Sequence, residues 1–118
     1  MTNKKTGKFG EFIARCFLRL KGYRILEKNY VTGRGTTAGE IDIIALKGKT
    51  LVFVEVKTRK KLTDALYALS FQQQQRVMRG ALCYLKSHKK YARYGMRFDA
   101  VFFAPPLHLK HIQNAWGM

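Results

Sequence analysis

Gly39-Glu40-Ile41-Asp42-Ile43-Ile44-Ala45-Leu46-Lys47-Gly48-Lys49-Thr50-Leu51-Val52-Phe53-Val54-Glu55-Val56-Lys57 consists of two aliphatic, β-branched runs around a short Lys-Gly-Lys turn. That is the pattern of a β-hairpin. With Gly48 and Lys49 at the turn centre, Lys47 faces Thr50, Leu46 faces Leu51 and Ile44 faces Phe53. Continued outward, Asp42 faces Glu55 and Glu40 faces Lys57. Side chains alternate along a strand, so Glu40, Asp42 and Ile44 share a face with Phe53, Glu55 and Lys57. Opposed Cβ atoms of an antiparallel pair stand about 4.5–5.5 Å apart. Two carboxylates and one ammonium group therefore converge on an otherwise apolar sheet face.

Directly opposed like charges destabilise a sheet, and neighbouring buried carboxylates resist ionising together. A divalent cation between Asp42 and Glu55 reverses that penalty. Magnesium is commonly held by one or two carboxylates together with substrate phosphate oxygens. The alternative is a solvated edge hairpin on which pairs such as Glu40–Lys57 only aid solubility. A different turn would slip the register by one residue and change the pairing.

The chain has 118 residues, enough for one domain spanning 1–118, and a domain of this size needs no disulfide staple. Its apolar content is that of a globular protein. Its charge is not ordinary: 23 Lys and Arg stand against 7 Asp and Glu, a net +16. Such a field favours polyanions, either nucleic acid or an anionic membrane surface. Acids are scarce, yet Glu40, Asp42 and Glu55 all fall in the hairpin. Cys16 and Cys83 form no Cys-x-x-Cys pair and read as small core thiols in a reducing compartment. No run reaches the roughly 20 apolar residues of a membrane span, and no signal peptide is evident, so the expected location is the cytoplasm.

Upstream of the hairpin, Lys8 to Gly22 has helical periodicity. Phe9, Phe12, Ile13, Cys16, Phe17 and Leu20 form the main apolar stripe. A core face and a basic amphipathic membrane anchor both fit this stripe; its aromatic content and the strand that follows favour the core. Glu11 lies almost opposite that stripe, on a weaker one shared with Ala14 and Leu18. It is either a solvated acid near a helix N-terminus or a third acid reaching the hairpin patch. Tyr23 to Val31 reads as a first strand. The loop 32–38 lacks a phosphate-cradling motif, although Arg34 is a candidate phosphate contact.

Downstream, Arg59, Lys60 and Lys61 leave the strand that bears Glu55 and place positive charge beside the acidic patch, as a phosphate-binding wall requires. Ser70-Phe71-Gln72-Gln73 is a capping box opening a helix that runs to about His88. Gln73, Gln74 and Arg76 at its start are candidate nucleic-acid contacts, because a helix N-terminus favours anions; capping and solvation are the simpler account of the amides. Residues 86–97 are basic and interleaved with tyrosines. Phe98 to Ala104 is an apolar strand, and Leu107 to Ile112 reads as a last one. His108 and His111 have no Cys or acid near them in sequence to complete a metal site.

Asp42, twelve residues, then Glu55-Val56-Lys57 resembles the pattern of the PD-(D/E)XK nuclease superfamily. More closely, Gly10-Glu11, Gly22-Tyr23-Arg24-Ile25-Leu26, the run Gly39–Ala45, the run Val52–Arg59 and Arg97-Phe98-Asp99 resemble successive signatures of the bacterial YraN family. That family is similar to archaeal Holliday-junction resolvases. The resemblance spans roughly residues 7–116. It implies an α/β fold with a central mixed β-sheet flanked by helices, a restriction-endonuclease-like core, and metal-dependent cleavage of DNA, including branched DNA. The cofactor it implies is magnesium or manganese. Asp42 and Glu55 would be its ligands, Glu11 would complete the shell, and Lys57 would orient or activate the attacking water. A homodimer is implied for a junction-cutting enzyme, because two symmetric incisions need two sites. The sequence departs from the expected Pro-x-Lys-Gln element: Phe71-Gln72-Gln73-Gln74 stands there, with Gln73 in place of the lysine. A nucleic-acid-binding protein that keeps this fold without catalysis is the alternative.

Overall fold

The computed structural model describes residues 4–33, 38–66 and 69–117. Helix α1 (Lys4–Leu20) leads into strands β1 (Arg24–Thr32), β2 (Gly39–Lys47) and β3 (Thr50–Thr58). Helices α2 (Leu62–Leu66) and α3 (Phe71–Ser87) follow, then β4 (Gly95–Ala104) and β5 (His108–Trp116). The five strands form one sheet in the order β1-β2-β3-β4-β5. Only the β3–β4 pair is parallel, with α2 and α3 in the connection between them. The expected mixed sheet flanked by helices is present. Helix α2 was not foreseen, and the last strand is longer than its sequence suggested.

The hairpin has the expected register from Lys47↔Thr50 through Leu46↔Leu51 and Ile44↔Phe53 to Ile43↔Val54. Gly48 adopts φ +59° at the turn, a conformation open to a residue without Cβ. Strand β3 is central, and its residues Leu51 to Val56 are all buried, which is why it reads as a continuous apolar run rather than an alternating one. One of its faces packs with Ile43, Ala45 and Val101 against Ala14 and Leu18 of α1. The other packs with Ile41, Ile44 and Phe98 against Val77, Ala81 and Tyr84 of α3. Helix α2 places Ala65 on Ala100 and Phe102.

The core face of α1 is not the aromatic stripe. Gly10, Ala14 and Leu18 are buried, whereas Phe9 and Phe12 are each 50% exposed and Leu20 is 88% exposed. Close approach explains this: a Cβ on Gly10 would fall 2.0 Å from Thr58 Oγ1, so only small residues can face the sheet there. The aromatics straddle the flank instead, Phe9 edge-on to Phe103 and Phe17 edge-on to His111. The cysteines also depart from expectation, since Cys16 is half-buried and Cys83 exposed.

Two details position the far helix and lock the far edge of the sheet. Gly39, at the start of β2, is so close to α3 that a Cβ there would meet Gly80 N at 2.5 Å. The first two turns of α3 are thereby held over the opening of the hairpin. At the β4–β5 edge, the register shifts between Phe98 and Ala100, and Asp99 is fully buried there. Its carboxylate accepts from Arg97 Nε and Nη2 (both 2.8 Å), His111 Nε2 (2.7 Å) and the Asn114 backbone N–H (2.9 Å). Asn114 turns its N–H inward by adopting φ 52°, which asparagine tolerates. Arg97 also donates to the Tyr23 hydroxyl. His111 therefore does have an acid partner, one that sequence distance concealed.

Burial alone would raise the Asp99 pKa, but the hydrogen bonds from His111, Arg97 and Asn114 outweigh it and hold the group below its ordinary value. A depressed carboxyl stabilises the fold above its unfolded pKa, and that contribution is lost as pH falls through the folded value. Asp99→Ala leaves Arg97 and His111 without their buried acceptor and is expected to destabilise the protein by about 3–5 kcal/mol in urea melts at pH 7, with the difference shrinking on acidification below the ordinary carboxylate range. Gly39→Ala is expected to destabilise by roughly 1–3 kcal/mol, because the added methyl meets backbone rather than a movable side chain.

Candidate metal and phosphodiester site

The hairpin ladder stops short of its acidic end. Beyond Ile43↔Val54 the expected pairs Asp42↔Glu55 and Glu40↔Lys57 are not part of it. Instead, the Val56 backbone N–H donates to Asp42 Oδ2 at 2.7 Å. Strand β2 changes its facing at the same point: Ile41 packs on the α3 side and Ile43, two residues later, on the α1 side. A regular strand would keep both on one face. The strands thus part at Asp42, and a carboxylate takes the place of a backbone acceptor.

The parted end is a pocket of about 210 Å³ lined by Glu11, Glu40, Asp42, Glu55, Val56, Lys57, Gln73 and Arg76. The elements that build it come from both layers. Glu11 arrives from α1, because the helix buries its Gly10–Ala14–Leu18 side rather than its aromatic side. Gln73 and Arg76 arrive from α3 under the control of the Gly39–Gly80 approach. Asp42, Glu55 and Lys57 come from the hairpin. Four sequence-derived candidates, Glu11, Asp42, Glu55 and Lys57, are therefore gathered in one place. Glu40 belongs with them, a residue that alternation along β2 had already flagged as a partner for Lys57.

Lys57 is not paired with Glu40 as opposed register positions implied. Its ammonium lies 3.3 Å from Glu55 Oε2, two residues back on its own strand. Gln73 and Arg76 line the pocket, while Gln74, Arg59, Lys60 and Lys61 do not. Arg59 turns back to donate to the Thr58 carbonyl. Lys60 and Lys61 are exposed on the segment after β3, available to a bound polyanion but outside the pocket. Arg34 lies outside the described residues. The capping box is present: Ser70 Oγ accepts from Gln73 N–H, and Gln73 Oε1 accepts from Ser70 N–H.

The electrostatics of the pocket are unfavourable as they stand. Burial, then repulsion from Glu55, pushes the Asp42 carboxyl well above its ordinary pKa, and the Val56 N–H offsets only part of this. Burial also raises Glu55, against the pull of Lys57. Glu11 is raised by burial and by Asp42, against Arg15. Among the described residues, four carboxyl groups line the pocket with two cations, Lys57 and Arg76, an excess of two negative charges when all are ionised. A divalent cation matches that imbalance. Among the described residues, no three His, Cys, Asp or Glu groups are gathered tightly enough to form a complete ligand set. Magnesium does not need one, because water and phosphate oxygens fill most of its six positions. Asp42 and Glu55, with Glu11 and Glu40 lining the same pocket, are the groups that could hold such a cation.

A raised folded-state pKa means that the folded protein binds the extra proton. Ionising Asp42 above its unfolded pKa therefore costs stability, increasingly as pH rises toward the folded value. Asp42→Asn retains an acceptor for Val56 N–H but removes the charge. In chelator-treated protein at pH 7 it is expected to be more stable than the parent by roughly 0.5–2 kcal/mol, the size of gain seen when a strained functional group is removed. The gain is expected to fade near pH 4. Loss of stability at pH 7 would show that the carboxylate is structural.

The family model described as "Uncharacterised protein family UPF0102" matches residues 10–103. The chain is 43% identical over 113 residues to a UPF0102 protein of Paramagnetospirillum magneticum, a match covering 96% of this chain and 88% of the relative. A UPF0102 protein of Bradyrhizobium sp. strain BTAi1 is 45% identical over 108 residues, with 89% and 76% covered. One of Bradyrhizobium diazoefficiens is 42% identical over 112 residues, with 95% and 81% covered. The matched span reaches from Gly10, beside Glu11, through the whole hairpin to Phe103. The chain belongs to the UPF0102 family, which is the YraN family that its signature segments resemble.

Proposed function

We propose that the protein is a magnesium- or manganese-dependent DNA endonuclease of the restriction-endonuclease-like, PD-(D/E)XK kind. The observation that supports this most is the convergence of Asp42, Glu55 and Lys57 with Glu11 in one pocket at the parted end of the hairpin. The net charge of +16 supports a polyanionic substrate.

In this reading Asp42 and Glu55 hold the cation, and Glu11 completes its surroundings. When bound, the cation would lower the pKa of a water and offset charge on the phosphoryl oxygens. The chain's own groups do the rest. The Val56 N–H fixes one oxygen of Asp42 and so aims the other into the pocket. Glu55 holds the Lys57 ammonium, which orients the attacking water and neutralises charge developing on the phosphate. The water oxygen forms a bond to phosphorus and the P–O bond to one sugar breaks. The released electron pair stays on the sugar oxygen, which takes up a proton, and the water's other proton passes to solvent. One water is consumed, and a phosphomonoester and a sugar hydroxyl result. Lys60 and Lys61 would steady the backbone beside the pocket. A junction or other branched substrate is the one the family resemblance favours, and it calls for two copies of the chain.

One observation favours a second reading, a DNA-binding protein without catalysis. Gln73, where related sequences would supply a lysine, is tied into the helix cap. The two readings separate on labelled duplex, single-stranded and four-way-junction DNA with magnesium or manganese. The enzyme reading expects cleavage that stops with chelator, falls at least about 10²-fold in Lys57→Ala and is abolished in Glu55→Gln. Salt-sensitive binding of all three substrates with no cleavage of any would leave the binding reading in its place.

A further inference from the structure

We propose that Arg76 grips the phosphate that enters the pocket, acting as the mobile cation of the site. This deepens the phosphodiester reading above and rests on it. Among the described residues the pocket has two cations, and they are placed differently. Lys57 is engaged by Glu55 at 3.3 Å. Arg76 faces the same four carboxyl groups yet forms no ion pair with any of them among the described residues. It is exposed while lining the pocket, so a phosphodiester arriving from solvent can reach it.

The neighbouring groups cannot easily take this role. Gln73 stands one turn earlier on the same face of α3, but its amide oxygen is bound to the Ser70 N–H and its own N–H to Ser70 Oγ. It closes the helix end and brings no charge. Arg59 donates to the Thr58 carbonyl, and Lys60 and Lys61 lie outside the pocket. Arg76 is left with a planar fork of donors suited to two oxygens of one phosphate. A lysine would offer only a point charge. The approach of Gly80 to Gly39 fixes the helix turn that follows Arg76 against β2, so the backbone that carries the arginine is held beside the pocket.

The test compares Arg76→Ala, Arg76→Lys and the double variant Arg76→Ala/Gln73→Lys with the parent. Cleavage of labelled DNA is measured with magnesium, and DNA affinity is measured against salt in chelator. The Arg76→Ala change is expected to lower kcat by about 10²–10³-fold, to raise KM through the lost phosphate contact, and to reduce the slope of log affinity against log salt by about one. Arg76→Lys is expected to fall between the two. Lysine at position 73, one turn away on the same face, is expected to restore at least about tenfold of the lost kcat, which repair of a merely structural defect would not do. An unchanged salt slope in Arg76→Ala overturns the proposal, whether or not kcat changes. A reduced slope in a protein that cleaves nothing supports the phosphate grip and sets aside the hydrolytic reading instead.

Discussion

One hydrogen bond organises the candidate site: Val56 N–H to Asp42 Oδ2. A buried backbone N–H must find an acceptor. Where β2 and β3 part, the acceptor is a side chain rather than the facing carbonyl. The parting opens a polar pocket in the middle of a sheet buried on both faces, so that groups from both helix layers can enter it. Were the ladder to continue, Asp42 and Glu55 would be opposed in a closed sheet with no space between them. Were the Val56 N–H left bare, the site would have an unpaired donor in its floor, a penalty of about 1–3 kcal/mol.

The same device occurs twice, with opposite electrostatic results. Asp99 replaces a ladder acceptor at the β4–β5 irregularity, receiving the Asn114 N–H. It also receives Arg97 and His111, and its charge is stabilised. Asp42 receives one N–H and faces a second carboxyl group, and its charge is opposed. Both are aspartates at strand irregularities, and the number of donors around each separates them. Asp99 holds the edge strand in place. Asp42 is held in place with its charge opposed, a combination that clusters at functional sites.

Much of this was legible in the sequence, for definite reasons. The Lys-Gly-Lys turn fixes the hairpin count from the inside, so the register holds from Lys47↔Thr50 to Ile43↔Val54. It fails at Asp42 because a side-chain acceptor, which turn geometry does not report, ends the ladder. The capping box at Ser70 was readable because its partners are three residues apart. The face of α1 was misjudged because periodicity ranks residues by apolarity, whereas the sheet selects for closeness. Gly10 and Ala14 win that contest through what they lack, and Glu11 reaches the pocket because of it. The Asp99–His111 contact joins two strands through a bulge and an asparagine at positive φ, and nothing local in the sequence marks it. Arg76 was readable as a candidate nucleic-acid contact near a helix start, but its place in the lining of the pocket depends on the packing of α3 against β2, where Gly80 meets Gly39.

In the proposed function Asp42 and Glu55 together hold a divalent cation. Titration calorimetry with manganese on the intact chain tests it most directly, using the parent, Asp42→Asn and Glu55→Gln at two pH values. One site per chain is expected, lost in both variants. Binding should weaken as pH falls, because the cation must displace the proton that the crowded carboxyl groups retain. Equal binding in all three proteins, or none in the parent at millimolar manganese, would contradict it.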